Sequence, residues 1–586
     1  MGKENEYKYK AFDIQIIFAF LLLLYPLRHA FVGVDMMDAG YALGNYRFFG
    51  VLNKTWKLAT YLANVVGVLL SKLPFGGTWA GMNIYTGLLV GLTAACAYLF
   101  MVKQYGYRIL MFVAEFVALS LCWAPYTVLY HYLGYILMTI TVLVLYRAII
   151  TDSIKKYIIA GVILGLCVAV RMPNITYIAF ILPVWYNCLL NKEKFSVLFK
   201  RTGFCILGYI TGVMIPLGVI CFCYGFDAYP AMIGELFGMT DTATDYKPTA
   251  MVMAMFEDYM NYSAWLWLFL AYMVAGILFF YFLEKVGKGK CEKLFQVGFV
   301  AGFFVLLRFC YGRGMFGFDY TEPFSMYKWV TVFLLIVIFF CIFLLLSKAE
   351  RAENKLWAIF LLVIIFITPL GSNNKLYPVI NNLFIVAPVF LYLFLDAVKM
   401  MQFGKNIGFV CKTVLYGMLI CAAVQSVIFG AVFVFHDKLS SVEYVLALPI
   451  DSPVNGMKTN AFAKEELEHL TGYLSEHGLL DRKLILYGDI PALSYILDME
   501  PAIYTTWIDL DSNSAIRLEE ELGALTAKKS ASLPVVILGE NAFHDGVFLE
   551  QGQEYMTKAG IINKFMLDNN YEEVYLGVSY RVYTAQ

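Results

Sequence analysis

Two carboxylates, Asp35 and Asp38, follow the first apolar run of the chain, within the sequence VDMMDAGYALGNYR. A carboxylate at the rim of an apolar region can act as a general base on an incoming hydroxyl group. Asp38 also precedes a run of helical character, so it could cap the first turn of a helix. The two interpretations are compatible, because a cap fixes the direction of a carboxylate. Asp35 and Asp38 are therefore the predicted catalytic residues.

Cations near the ends of later apolar runs could bind a phosphate group. Arg171 precedes Pro173 and Asn174, where a helix would break, and Lys375 lies in GSNNKLYP between two apolar runs. The alternative is that these side chains extend to lipid headgroups. The predicted phosphate-binding residues are Arg171, Lys375, Arg308 and Arg313. The predicted lining of a substrate groove is Tyr41, Asn45, Asn174, Asn373 and Asn374.

Two further acids, Asp319 and Glu322, lie in GRGMFGFDYTEP. They could hold a divalent cation together with Asp35 or Asp38, because hard oxygen ligands suit magnesium or manganese. A solvated loop is the alternative interpretation of the same residues. Magnesium or manganese is the only cofactor that the sequence suggests. Six more acids lie between 227 and 258, in a predicted solvated outer loop over 224–261.

The elements that position these residues must lie in lipid. Hydrophobic residues make up 60% of the 586-residue chain and charged residues 15%, and the mean hydropathy is +0.68. Soluble domains carry about 25% charged residues, so this composition requires a bilayer as solvent. The formal net charge is zero, which gives no indication of a nucleic-acid partner. The cysteines show neither a disulfide framework nor a zinc spacing.

About thirteen apolar runs are long enough to cross a bilayer. They lie near 14–31, 80–101, 109–125, 131–149, 157–170, 174–190, 202–223, 262–282, 294–311, 327–346, 356–371, 378–396 and 409–435. Lys and Arg concentrate in alternate connections, which are therefore predicted to be cytoplasmic. These connections lie near 3–10, 103–108, 147–156, 192–201, 285–293, 348–355 and 399–412. This pattern predicts a multi-pass protein of the cell (plasma) membrane with its N-terminus inside and its C-terminus outside.

Two segments outside the spans are predicted to fold on the extracytoplasmic side. The first outer loop, 32–79, has apolar residues at helical spacing, which is typical of amphipathic helices in the membrane interface. Residues 436–586 have the composition of a soluble domain, after a transmembrane domain over 1–435. Strand patterns at KLILYG, LPVVILGE, YEEVYLG and YRVYTA alternate with helical patterns. This alternation predicts a small α/β domain with a partly parallel sheet.

The chain resembles the C-type (GT-C) membrane glycosyltransferases. The features that carry the resemblance are an acid just outside the first span in the context Asp38-Ala-Gly-Tyr41, the amphipathic first outer loop, and the string LYGDIPALSYILDMEPAIY in the tail. Dolichyl-phosphate-mannose protein mannosyltransferases and lipid A aminoarabinose transferases are examples of this family. Many relatives carry two adjacent acids at this point, whereas here the acids are three residues apart. The Gly-Tyr context favours Asp38 as the counterpart of the catalytic acid.

The resemblance implies an inverting hexosyl- or pentosyltransferase of the cell envelope. Its donor would be a polyprenyl-phosphate-linked sugar, and its acceptor would be an extracytoplasmic glycan, lipid or protein. A secondary transporter and a noncatalytic scaffold with an outer interaction domain are the alternatives. Transporters of many families show paired internal repeats, and no such repeat is visible in this sequence.

Overall fold

The structure is a computed structural model. It describes residues 14–52, 54–237, 248–285, 292–400, 404–435, 443–510, 513–527, 533–540, 543–544, 547–548 and 552–586. The cationic connections near 3–10 and 286–291, part of the predicted loop over 224–261 and the predicted domain boundary at 436 lie outside these residues.

Helices make up most of the chain as far as residue 435. They are α1 (Ile14–His29), α2 (Asp38–Arg47), α3 (Lys54–Ala59), α4 (Tyr61–Ser71), α5 (Trp79–Tyr105), α6 (Arg108–Ser120), α7 (Leu129–Thr151), α8 (Ile154–Val170), α9 (Ile181–Leu190), α10 (Phe195–Tyr224), α11 (Ala228–Phe237), α12 (Pro248–Lys285), α13 (Glu292–Gly312), α14 (Phe324–Leu346), α15 (Ala352–Ile367), α16 (Tyr377–Ile380), α17 (Val386–Met400) and α18 (Lys405–Val432). A 3₁₀ segment, Met172–Phe180, leads into α9.

Eight segments of the described chain are long and apolar enough to cross a membrane. They are Trp79–Tyr105, Leu129–Thr151, Met172–Leu190, Phe195–Tyr224, Thr249–Lys285, Glu292–Gly312, Met326–Leu346 and Lys405–Val432. The polytopic helical architecture is thus confirmed. Shorter helices, α1, α6, α8, α15 and α17, coincide with the other predicted spans. The number thirteen and the orientation in the membrane stay predictions.

The cation-rich connections contact one another in pairs. Lys405 pairs with Glu292 at 3.0 Å, and Arg201 in α10 pairs with Asp152 after α7 at 2.9 Å. The Tyr105 hydroxyl donates to Glu353 at 2.9 Å, which joins the end of α5 to the start of α15. These contacts group the loops that the sequence predicts to be cytoplasmic.

The helices α8 and α10 cross at close range because glycines line both faces. A side-chain carbon added at Gly161 or Gly165 would overlap the backbone of α10, and one at Gly208 or Gly212 would overlap the backbone of α8. Each pair has the spacing small-xxx-small, which lets two membrane helices approach until their backbones touch. The contact orients α8, whose end carries Arg171.

After residue 443 the chain forms an α/β domain. Its helices are α19 (Ala461–Glu476), α20 (Ala492–Ile496), α21 (Ala515–Ala527) and α22 (Gln553–Asp568). Its strands are β1 (Tyr444–Val445), β2 (Lys458–Thr459), β3 (Leu484–Tyr487), β4 (Val535–Gly539), β5 (Phe543–His544), β6 (Val547–Phe548), β7 (Tyr571–Leu576) and β8 (Tyr580–Ala585). The central sheet has the order β3-β4-β8-β7, with β3 and β4 parallel and the other pairs antiparallel. The predicted partly parallel sheet is confirmed.

The α/β domain docks on the first outer loop. The Ala492 amide donates to the Met36 carbonyl at 3.0 Å, and Gly40 of α2 lies against Ala492 of α20. Arg47 at the end of α2 forms a two-bond ion pair with Asp498, at 2.7 and 2.6 Å. The predicted helices of the loop are present, but α2 is covered by the α/β domain rather than by the membrane interface. Helix α2 therefore links the bundle to the domain.

Candidate functional site

Asp35 lies between α1 and α2, and its side chain is 4% exposed. Its two carboxylate oxygens accept hydrogen bonds from the amides of Met37 (3.0 Å) and Ala39 (2.7 Å). The first amides of a helix have no partner within the helix, and a preceding carboxylate commonly binds them. These bonds fix the direction of the Asp35 carboxylate.

Asp35 faces a cavity of about 850 Å³ between the bundle and the α/β domain, which we call the large cavity. Bundle residues Asp35, Trp123, Glu322, Tyr377 and Phe435 line one side. Phe462, Asp489, Glu540 and Tyr580 of the α/β domain line the other. The cavity is large enough for a sugar-sized ligand, since ligand pockets measure roughly 300–1,000 Å³.

The α/β domain presents the carboxyl ends of its two parallel strands to the large cavity. Asp489 follows β3 in a turn where Gly488 and Asp489 have φ angles of +107° and +57°, and Glu540 follows β4. Ligands of α/β sheets commonly bind at this edge. The Trp507 indole donates to Asp489 Oδ1 at 2.9 Å, and the Asp489 amide donates to Asp509 Oδ2 at 2.6 Å. Burial, and then the charge of Asp489, raise the pKa of Asp509 to about 7.

A second cavity, of about 100 Å³, lies on the bundle side of Asp35 and is called the arginine cavity here. It is lined among others by Arg28, His29, Asp35, Asn83, Trp123 and Tyr126. Arg28 Nε donates to the Gly430 carbonyl at 2.6 Å, and its guanidinium lies 4.0 Å from the centre of the Tyr25 ring. Asp35 therefore lies on the boundary between a cavity that contains a cation and a larger one that contains acids.

Asp38 begins α2 and lines a third space of about 40 Å³, the side cavity, with Tyr130, His131, Asn374, Tyr377 and Asn381. Trp123 and Phe435 line all three cavities, and their ring centres are 5.4 Å apart. Asp35 and Asp38 thus face different spaces around one aromatic pair.

The predicted phosphate-binding residues lie in different places. Arg171 Nη2 donates to the Gly371 carbonyl at 2.6 Å, and its guanidinium lies 5.5 Å from the ring centre of Tyr130, which lines the side cavity. Lys375 Nζ instead donates to Asp258 at 3.1 Å. Arg308 and Arg313 are exposed, over the rings of Tyr311 and Phe309 at 5.3 and 5.5 Å. Among the four, Arg171 stacks on a ring that lines the side cavity with Asp38, whereas Lys375 is paired with Asp258.

The predicted groove residues separate into two groups. Asn374 shares the side cavity with Asp38, whereas Asn373 is exposed and lines none of the three cavities. Asn174 is buried, and its amide donates to the Cys167 carbonyl at 3.0 Å, where it caps the end of α8.

Tyr41 and Asn45 line none of the three cavities described above. The Tyr41 ring packs edge-on against Trp507 of the α/β domain, with ring centres 5.6 Å apart. These residues lie on the face of α2 that meets the α/β domain, and their role in lining a substrate groove stays a prediction.

The predicted metal site is not assembled among the described residues. They contain no group of three or more His, Cys, Asp and Glu side chains that could hold a metal ion. Asp319 accepts hydrogen bonds from the amide and hydroxyl of Thr321, at 3.0 and 2.6 Å. Glu322 faces the large cavity with Asp35.

Asp258 is a further correction. The sequence predicts a solvated loop there, but Asp258 is 3% exposed in α12 and accepts a hydrogen bond from the Tyr327 hydroxyl.

Five residues of the site escaped the sequence analysis: Arg28, Trp123, Asn381, Asp489 and Glu540. Arg28 follows the first apolar run and gave a signal, since it is a cation in a connection that the charge bias predicts to be poor in Lys and Arg. Asn381 holds the Trp123 amide through its side-chain oxygen at 2.9 Å, which only the fold reveals. Asp489 lies in the string LYGDIP, directly after a predicted strand, where a ligand-binding loop is expected.

Known proteins resemble this chain distantly. No protein-family model matches it, and no curated protein matches it. Among solved structures, the fold is similar to the crystal structure of the Archaeoglobus fulgidus oligosaccharyltransferase in complex with Zn and sulfate. The identity is 12% and the TM-score 0.42, over 90% of this chain and 68% of that chain. At this level of similarity, the side chains of the site remain the basis for assigning a function.

Proposed function

We propose that the protein is a membrane glycosyltransferase that moves a sugar from a polyprenyl-phosphate donor to a hydroxyl-bearing acceptor, with inversion at the anomeric carbon. The observation that carries the proposal is the position of Asp35. Its carboxylate is oriented by two backbone amides and lies where a cavity with an unpaired cation meets a cavity of sugar size.

In the proposed reaction the acceptor hydroxyl oxygen attacks the anomeric carbon of the donor sugar. The bond from that carbon to the phosphate oxygen breaks, and the lipid phosphate leaves with the electron pair. Asp35 accepts the proton of the hydroxyl as a general base. Asp35 suits this role better than Asp38, because Asp38 faces a space of about 40 Å³ that is too small for a sugar.

The α/β domain is proposed to form the acceptor side of the site. Asp489 and Glu540 face the large cavity beside the aromatic rings of Phe462 and Tyr580. Carboxylates accept hydrogen bonds from sugar hydroxyls, and aromatic rings give a sugar an apolar surface to stack on. The acceptor is accordingly a glycan, lipid or protein on the extracytoplasmic side of the plasma membrane.

The test compares Asp35→Asn with Asp38→Asn in the purified full-length protein. A panel of polyprenyl-phosphate sugars is supplied with acceptor extracts, and released polyprenyl phosphate is measured by mass spectrometry. Loss of a general base lowers rates by about 10²–10⁴-fold, so Asp35→Asn should fall in that range while Asp38→Asn stays within about 10-fold of the parent.

Thermal unfolding of both variants controls for the lost cap. An asparagine at 35 still accepts one amide hydrogen bond, so the unfolding free energy should fall by no more than about 1 kcal/mol. Parental turnover in Asp35→Asn would refute the role of Asp35. Failure of the parent protein to release lipid phosphate from any donor would refute the glycosyltransferase proposal itself.

A further inference from the structure

We propose that the arginine cavity is a binding site for the phosphate group of a lipid, with Arg28 and Trp123 as its two donors. The inference rests on the proposed function only where it identifies this phosphate with the leaving group of the donor. Neither residue was among those that the sequence predicted to bind phosphate.

Arg28 supplies a positive charge without a counterion. It contacts only neutral groups: it donates to the carbonyls of Gly430 and Tyr25, at 2.6 and 3.3 Å, stacks on the Tyr25 ring and interacts with the Tyr126 hydroxyl. Throughout the described residues no carboxylate lies within ion-pairing distance, 4.0 Å, of its nitrogens. A half-buried cation held by neutral groups favours an anion in the adjacent space.

Trp123 supplies a buried donor without an acceptor. Its indole nitrogen is inaccessible to solvent and makes no hydrogen bond within the described part of the chain. Buried tryptophan N–H groups usually have a partner, so an unpaired one beside a cavity indicates a missing acceptor. The ring is held in place, because Asn381 binds the Trp123 amide and the Tyr377 ring centre lies 4.3 Å away.

The shape of the arginine cavity fits a phosphate on a lipid chain. Its volume of about 100 Å³ exceeds the space of a single water several-fold and suits a compact anion. Phe429, Phe433 and Val434 line the same cavity at the end of α18, next to Val432, which is 53% exposed on the surface of the bundle. An apolar chain attached to the phosphate can therefore leave the cavity along α18 without burying polar groups.

The placement also suits transfer. Asp35 lines both the arginine cavity and the large cavity. Its oxygens already bind the amides of Met37 and Ala39, which directs its charge toward the start of α2. The phosphate leaving group would stay in the arginine cavity, bound to Arg28, while the acceptor approaches the sugar from the large cavity. Asp35 would then lie between the two.

The experiment measures binding rather than transfer. Purified full-length protein is titrated with polyprenyl monophosphate that carries no sugar, and bound lipid is quantified by native mass spectrometry. Arg28→Gln should weaken binding by at least about 10-fold and Trp123→Phe by about 5-fold, since charge-assisted hydrogen bonds are the stronger class.

Two variants serve as matched controls. Arg308→Gln removes an exposed arginine that also stacks on a tyrosine ring. Trp329→Phe removes a buried indole nitrogen that also lacks a partner among the described residues, but Trp329 lines none of the three cavities. Both should bind as the parent does.

Three comparison ligands identify what the site binds. Polyprenol, which lacks the phosphate, should bind weakly and equally to the parent and to Arg28→Gln. Phosphatidic acid and inorganic phosphate should compete poorly with polyprenyl phosphate. Strong competition by phosphatidic acid would overturn the assignment to the donor, and strong competition by inorganic phosphate would overturn the assignment to a lipid.

A spectroscopic measurement tests whether Trp123 contacts the ligand or only supports the fold. In protein labelled with 5-fluorotryptophan, the ¹⁹F signal that disappears in Trp123→Phe should shift on addition of polyprenyl phosphate. Parental affinity in Arg28→Gln, or an unmoved Trp123 signal on saturation, would overturn the proposal. Asp35→Asn should bind polyprenyl phosphate at least as tightly as the parent, because it removes a negative charge from the cavity wall. A failure of transfer and a failure of this site therefore remain distinguishable.

Discussion

The protonation of Asp509 is linked to the wall of the large cavity, because Asp509 accepts a hydrogen bond from the amide of Asp489, which lines that wall. Asp509 is buried and accepts the Asp489 amide, which holds the turn after β3. Burial and the neighbouring charge raise the pKa of Asp509 from 3.8 to about 7. The turn leads directly into α20, the helix that docks on α2.

The stability of this turn should therefore depend on pH. Because the pKa of Asp509 rises on folding, the folded state binds more protons than the unfolded state between about pH 4 and pH 7. The free energy of unfolding should fall as the pH rises through that window. In Asp509→Asn this fall should disappear, since the amide still accepts the Asp489 hydrogen bond but carries no charge.

Hydrogen exchange of residues 484–497, corrected for intrinsic rates at pH 5 and pH 8, measures the effect. Asp451→Asn, which removes an exposed carboxylate of the same domain, serves as the control and should keep the parental pH dependence. If the free energy from exchange fell with pH in Asp509→Asn as it does in the parent, the pH dependence would not come from Asp509.

Single residues of the site were predictable where local sequence decides their role. Asp35 and Asp38 follow the first span, and both line cavities. Sequence context favoured Asp38, but the choice depends on where α2 begins. Because the helix starts at Asp38, its free amides turn Asp35 inward. The contact of Tyr41 with Trp507 could not be predicted, because a pattern of polar residues cannot reveal which protein surface will cover it.

At the scale of elements, the glycines of α8 and α10 set how closely two helices approach. Gly212→Ala should lower the free energy of unfolding by about 1–3 kcal/mol, because the added methyl overlaps the Val162 carbonyl. Gly203 lies on the same helix with open space around it, so Gly203→Ala should leave stability unchanged or raise it by up to about 1 kcal/mol.

Thermal unfolding of the full-length protein in one detergent compares the two variants. Opposite effects of the same substitution at positions 203 and 212 would establish the close crossing. Equal effects would show that α8 and α10 pack elsewhere.

Most helices could be predicted because lipid demands long apolar runs with internally bonded backbones. The break at Arg171 followed from Pro173, and the strands of the α/β domain followed from their apolar runs. The burial of Asp258 could not be predicted, because its partners Tyr327 and Lys375 are distant in sequence.

At the scale of the whole molecule, the docking of α2 on α20 holds the two domains around the large cavity. Gly40→Ala should loosen it, because the new methyl overlaps Ala492. Gly44→Ala is the matched control, since a methyl there meets no atom within 4 Å. Hydrogen exchange at 36–47 and 490–498 should rise in Gly40→Ala and stay parental in Gly44→Ala.

Sugar transfer should fall by at least about 10-fold in Gly40→Ala, since small displacements of catalytic groups strongly slow reactions. Parental exchange in both variants would contradict this docking.

The complete site was beyond prediction because its walls come from segments far apart in the sequence. Arg28, Asp35, Trp123 and Phe435 belong to the bundle, whereas Asp489 and Glu540 belong to the α/β domain. Local patterns reveal elements, but the junction of three cavities depends on how those elements pack.

The order in which a ribosome makes the chain has a consequence for this arrangement. Asp35 is synthesised well before Ser579 and Tyr580, which close the opposite wall. A growing chain therefore carries the carboxylate long before it has a finished chamber. The competence to bind both reactants arises only when the α/β domain has folded back onto the segment that carries Asp35.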